Sequence, residues 1–164
     1  MHAAIVPPLT RSLSALSHLL EVAEAFCADR KIDPAVLLGD RLAPDMFTLT
    51  RQVQLACDFA ARAASRLAGQ EVPSFPDTET TTEQLRRRIA AVQAHLAGFD
   101  AAAFDDAAAR KITIKVAGQD MSFDGQSFYS SYALPQFYFH MTTAYNILRH
   151  NGVRIGKRDF MGAA

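Results

Sequence analysis

The sequence has no charge of one sign to spare: 17 Lys and Arg offset 17 Asp and Glu across 164 residues. Nucleic acid and anionic lipid are both recognised through a basic surface, so this balance argues against either as a partner, and no membrane association is expected. The one basic run, Arg86-Arg87-Arg88, has no second patch to extend it and reads as a solvated helix face. Cysteine is scarce. Cys27 and Cys57 stand far apart with no C-x-x-C spacing, which leaves neither a zinc knuckle nor a redox pair. Both fall on apolar helix faces, where a free cysteine behaves as a small hydrophobe. No apolar run approaches the roughly 18 residues of a membrane span, and the N-terminus lacks the basic-then-apolar layout of a signal peptide. A cytoplasmic location is therefore expected. The nucleophile elbow G-x-S-x-G is absent, and the Gly-Lys pair in "GVRIGKRD" lacks the spacing of a phosphate loop.

What is present is helical periodicity. The length fits one domain, residues 1–164, able to bury a core without disulfide or metal. A first helix is predicted over Pro8–Asp29, with Leu9, Leu13, Leu16, Leu20, Ala23 and Cys27 on one stripe. A second is predicted to open in "APDMF", with Pro44 at its first position and Asp45 at the positive end of the dipole, and to close at Gly69. Its stripe is rich in alanine, which implies close helix approach. Thr80 with Glu83 has the form of a capping box and opens a third helix that ends at Gly98. Then the period changes. Ile112, Ile114 and Val116 alternate with Thr113 and Lys115, and Met121 and Phe123 repeat the pattern beyond a turn at Gly118-Gln119-Asp120. This predicts a β-hairpin ahead of the last helix, Gln136–Asn151. The fold class is all-α: a four-helix bundle with a small inserted hairpin, its long connections allowing a crossover.

The last helix carries the candidate chemistry. At about 100° per residue, His140 shares the core face with Gln136, Phe137, Ala144, Ile147 and Leu148. His150 lies about 15 Å further along the axis and cannot share a metal ion with it. On the second helix, Asp45 and Gln52 stand on one edge of the core stripe. A carboxylate, an amide and an imidazole aimed into one end of a bundle form a polar pocket, whose members must bond one another or hold a ligand. A catalytic zinc site takes three protein ligands, and one imidazole with one carboxylate falls short of that. No cofactor is expected. If a divalent metal binds at all, His140 is its ligand. Tyr129, Tyr132, Phe137, Tyr138 and Phe139 form an aromatic cluster that reads as core or subunit interface.

Two blocks carry a family likeness: "RLAPDMFTLTRQVQLACDFAARAASRLAG", residues 41–69, and "FYFHMTTAYNILRHNGVRIGKRDFMG", residues 137–162. They resemble the signature blocks of the bacterial domain-of-unknown-function family numbered nineteen-ninety-three, a branch of the DinB/YfiT-like proteins. The resemblance implies a four-helix bundle with a crossover, often a homodimer. In the wider group three histidines bind metal, one from the second helix and two from an H-x-x-x-H on the last, and some members are metal-dependent hydrolases or thiol transferases. His140 matches the final histidine of that set, whereas Gln136 and Gln52 stand where the other two are expected. Three readings follow. The first is a metal-free small-ligand pocket lined by Gln52, Gln136 and His140 with Asp45 near its mouth. The second is a metal-assisted hydrolase or thiol transferase. The third is a dimerisation module built on the hairpin and aromatic cluster, with Phe123 and Tyr132 at its centre.

Overall fold

Proline placement explains the first unexpected feature of the fold. A computed structural model describes residues 1–162, and in it α1 (His2–Arg30) starts at His2 and runs through Pro7 and Pro8. Proline cannot donate the helical hydrogen bond, so Pro8 leaves the Ala4 carbonyl without its usual partner. The Tyr129 hydroxyl donates to that carbonyl instead, at 2.8 Å. The helix therefore begins earlier than the proline-based boundary, because a side chain from elsewhere in the chain completes it.

A short helix α2 (Pro34–Gly39) follows, capped by Asp33, whose carboxylate accepts from the Ala35 amide. The chain then turns back at a bridge between Arg41 and Thr48 before α3 (Leu49–Ala68) begins. The start expected in "APDMF" is thus corrected to Leu49. Thr48 has extended backbone angles and its hydroxyl accepts from the Arg51 amide, so it is the N-cap, and Pro44 and Asp45 lie in the preceding turn. Gly69, at φ 70°, ends α3 in the left-handed conformation. The capping box of α4 (Thr82–Ala97) is also displaced by one residue. Thr81 and Gln84 form it, and Gln84 additionally accepts from the Thr80 amide.

After a 3₁₀ turn at Ala101–Phe104, strands β1 (Ile112–Val116) and β2 (Gln119–Phe123) pair antiparallel, with Ile112 opposite Phe123. Their turn is Ala117-Gly118 rather than Gly118–Asp120. Both residues have positive φ, 49° and 83°, as a two-residue hairpin twisted with its strands requires. Helix α5 (Gly125–Phe128), a π-turn at Tyr129–Ala133 and α6 (Leu134–His150) then run on as consecutive helical segments. A Cβ at Gly125 would sit 1.7 Å from the Ala107 carbonyl oxygen, so only glycine allows this approach. A last short helix, α7 (Lys157–Met161), lies on α1.

The four long helices form the bundle. α3 packs on α4 and α6, α1 packs on α4, and α4 and α6 stand on opposite sides. The around-the-bundle order is α1–α4–α3–α6, so the links from α1 to α3 and from α4 to α6 both cross it. Leu9, Leu13, Leu16 and Leu20 of α1 meet Leu85, Ile89, Val92 and Leu96 of α4 and the Val53, Ala56, Ala60 and Leu67 stripe of α3 in one buried core. No described helix is long and apolar enough to cross a membrane.

Candidate functional site

α3 is covered on more than one side, and this places its polar residues indoors. Gln52, Gln54, Asp58 and Ser65 are all buried. At about 100° per residue, Gln54, Asp58 and Ser65 share one side of the helix, and Gln52 and Phe59 share the opposite one. Each buried group has a partner, as burial demands.

On the α6 side, His140 Nδ1 lies 2.7 Å from Gln52 Oε1. The other amide atom fixes the direction of that bond. Gln52 Nε2 donates to the Phe47 carbonyl at 3.3 Å, so Oε1 faces the ring and accepts from Nδ1–H. Nδ1 therefore carries a proton, and in the neutral ring the lone pair is on Nε2, which makes no hydrogen bond among the described residues and is not fully buried. The ring stacks on Phe59 at 5.5 Å between centroids and meets Phe139 edge-on at 5.3 Å. Burial pushes the His140 pKa down to about 4, and the nearby Arg51 guanidinium adds to the effect. Phe139, whose ring meets His140, and Phe47, whose carbonyl holds Gln52, are each more than half exposed.

The other two expected site residues stand apart from this pair. Gln136 is half-buried one turn before His140 and hydrogen-bonds neither His140 nor Gln52; it lines a shallow depression with Ser131, Tyr132, Pro135 and Phe139. Asp45 is exposed in the turn before α3, where the helix edge proposed for it does not exist. The donors near His140 do not match the three-ligand set of a catalytic divalent cation. Nδ1 is committed to an amide oxygen, the neighbours are amides and phenyl rings, and among the described residues no three His, Cys, Asp or Glu groups converge. His95 is a structural group: its Nε2 pairs with the buried Ser65 hydroxyl at 2.8 Å, and burial lowers its pKa.

On the α4 side the structure overturns one reading outright. Arg88 is 4% exposed and is no part of a solvated face. Its Nη2 donates to Asp58 at 2.6 Å and lies 3.1 Å from Asp77, and its Nη1 donates to Glu79 at 3.1 Å and to the Pro76 carbonyl at 3.0 Å. Gln54 donates to Glu79, Arg62 to Asp58, and Arg51 pairs with Asp77. Burial opposes the Arg88 charge, but the hydrogen bonds and charges of Glu79 and Asp58 outweigh it and hold its pKa above the ordinary value. Cys57, also fully buried, has its thiol pushed up to about 12 by burial, against the pull of Arg88, and is inert as a nucleophile. The signal for Arg88 was its position: it lies three residues after Leu85 and four before Val92, on the core stripe of α4.

Part of the aromatic cluster packs within the chain, while Phe139 stays largely exposed. Tyr132 lies against Phe59, Phe123 and Phe128 at centroid distances of 6.3, 5.8 and 5.9 Å, so Phe123 fastens the hairpin to the bundle beside the His140 ring stack.

The profile described as domain of unknown function DUF1993 matches residues 1–161. The chain belongs to that family. A crystal structure described as a DinB family member protein from Shewanella denitrificans is 44% identical over 99% of this chain and 92% of its own, with a TM-score of 0.94. This DUF1993 chain therefore has the DinB-like fold. No curated protein matches it.

Proposed function

We propose that this DUF1993 protein binds a small molecule at the Gln52–His140 pair, without a metal ion. The observation that carries the reading is the 2.7 Å contact from His140 Nδ1 to Gln52 Oε1, which puts the proton on Nδ1 and leaves Nε2 of the neutral ring as an acceptor beside the exposed Phe139. A ligand with one hydrogen-bond donor and an apolar body fits that combination. The depressed pKa favours binding over base catalysis, because a base titrating near 4 has little driving force to take a proton at neutral pH. Gln136, with the depression beside Phe139, supplies a polar extension of the same surface. The homodimer that the family resemblance implies belongs to this proposal as the expected assembly.

The test is a fragment screen by protein-observed NMR on the whole chain, followed at the His140 ring resonances, with equimolar zinc as a separate arm. Hits that move His140 and are lost in His140→Ala support the proposal. Hits that bind both proteins equally, or stoichiometric zinc seated on His140, overturn it. Sedimentation of the same samples reads the assembly.

A further inference from the structure

A further cavity shares no lining residue with this pair, although its Tyr138 stands two residues before His140 on α6. It has a volume of about 330 Å³ and lies between the first turns of α1, Tyr138 of α6 and the end of α7. That volume is within the range of small-ligand sites, roughly 300–1,000 Å³.

Its lining is chemically uneven. Pro7, Pro8, Tyr138, Phe160 and Met161 give it apolar and aromatic walls. Arg11 brings a guanidinium that forms no ion pair among the described residues and is exposed to solvent. Ser12 and Tyr138 bring hydroxyls that share one long hydrogen bond of 3.4 Å and keep capacity for a further partner. Ala3 also lines the cavity. Pro7 stands four residues beyond it and has no N–H, so the helical donor to the Ala3 carbonyl oxygen is missing. The neighbouring case shows what the fold does with such an oxygen. Pro8 frees the Ala4 carbonyl in the same way, and there the Tyr129 hydroxyl takes it up at 2.8 Å.

We infer that this cavity is a second binding site, for a small aromatic carboxylate that also carries a hydrogen-bond donor. The carboxylate meets Arg11 and the Ser12 and Tyr138 hydroxyls, where a charge-assisted contact has no internal competitor among the described residues. The ring packs on Tyr138, Phe160 and the proline faces. The donor meets the carbonyl of Ala3.

The test uses the whole chain with three probes: 4-hydroxybenzoate, benzoate and uncharged 4-hydroxybenzamide, titrated by NMR. The expected result is that 4-hydroxybenzoate binds best and shifts Ser12, Tyr138 and Phe160. Arg11→Gln weakens it about tenfold, a change of about 1.4 kcal/mol, and leaves 4-hydroxybenzamide unchanged. Pro7→Ala restores a helical N–H to the Ala3 oxygen, so it weakens 4-hydroxybenzoate toward the level of benzoate without harming the fold. Absence of millimolar binding, shifts centred elsewhere, or equal affinity for 4-hydroxybenzoate in either variant and the wild type would overturn the inference.

Discussion

On the side of α3 that faces α4, Asp58 and Gln54 sit in a cluster where three arginines meet three carboxylates; on the side that faces α6, Gln52 holds one neutral ring. In the cluster, both terminal nitrogens of Arg88 are spent on Asp58, Asp77, Glu79 and a backbone carbonyl, and Arg51 and Arg62 take up remaining carboxylate capacity. At Gln52 the amide is used at both ends, yet the histidine it orients keeps an unspent Nε2. Buried charges paired with one another fasten elements together, here the Phe75–Glu79 loop onto α3 and α4, although Arg88 Nε is left without a partner among the described residues. A buried polar group held in one tautomer with an acceptor left over is set up for something outside the chain. The contrast separates structure from site without any appeal to residue type, since the cluster is by far the more highly charged of the two.

The sharpest way to break the comparison is Arg88→Ala. It strips the buried Asp58 and the largely buried Glu79 of their main cation, and removing one partner of a buried ion pair costs about 3–5 kcal/mol. Urea denaturation should show that loss, together with proteolytic release of the loop around Phe75–Glu79. A loss under about 1 kcal/mol would mean the cluster is not what holds the loop.

Gln52→Leu is the matching experiment on the other side. It leaves Nδ1–H of His140 without an acceptor, and an orphaned buried donor costs about 1–3 kcal/mol. The expected outcome is a smaller destabilisation than Arg88→Ala, accompanied by a mixture of His140 tautomers in nitrogen-15 spectra. Retention of the single Nδ1–H form would show that another group sets the tautomer.

Much of this contrast could be read in the sequence, and the missing part has a definite cause. The stripes of α1, α3, α4 and α6 follow from spacing alone, and so does the inward direction of His140 and Gln52. The hairpin follows from its period of two, though its turn moved by one residue because Ala117 accepts a positive φ. Helix starts were less legible. At α1 the Tyr129 hydroxyl compensates for Pro8 from 121 residues away in the chain, and at α3 the Arg41–Thr48 bridge overrides the preference of Pro44 for a first helical turn. The Arg88 cluster was hidden because a helical wheel marks apolar stripes and assigns the rest to water. What covers Gln54 and Asp58 is a loop whose own sequence, "SFPDTE", carries no periodicity. Asp45 and Gln136 show the same limit from the other direction: both have suitable chemistry, and neither is hydrogen-bonded to the His140 pair.

The finest test of the comparison concerns charge carried across α3. Arg51 belongs to the cluster through Asp77 and Gln54, yet its guanidinium also helps to hold the His140 pKa down, second to burial. The two sides are therefore coupled electrostatically, with burial dominant. A ring whose folded pKa is about 4 against an ordinary 6.5 binds fewer protons folded than unfolded between those values. Its contribution to stability is thus fully present above about 6.5 and is lost as the pH falls toward 4. Arg51→Gln should raise the His140 pKa by a fraction of a unit in an NMR titration, which narrows the pH window from its acid end and makes the His140-linked loss of stability slightly smaller. A return of the pKa all the way to 6.5 would make Arg51, not burial, the dominant cause, and the neutral ring would then owe its state to the charged cluster.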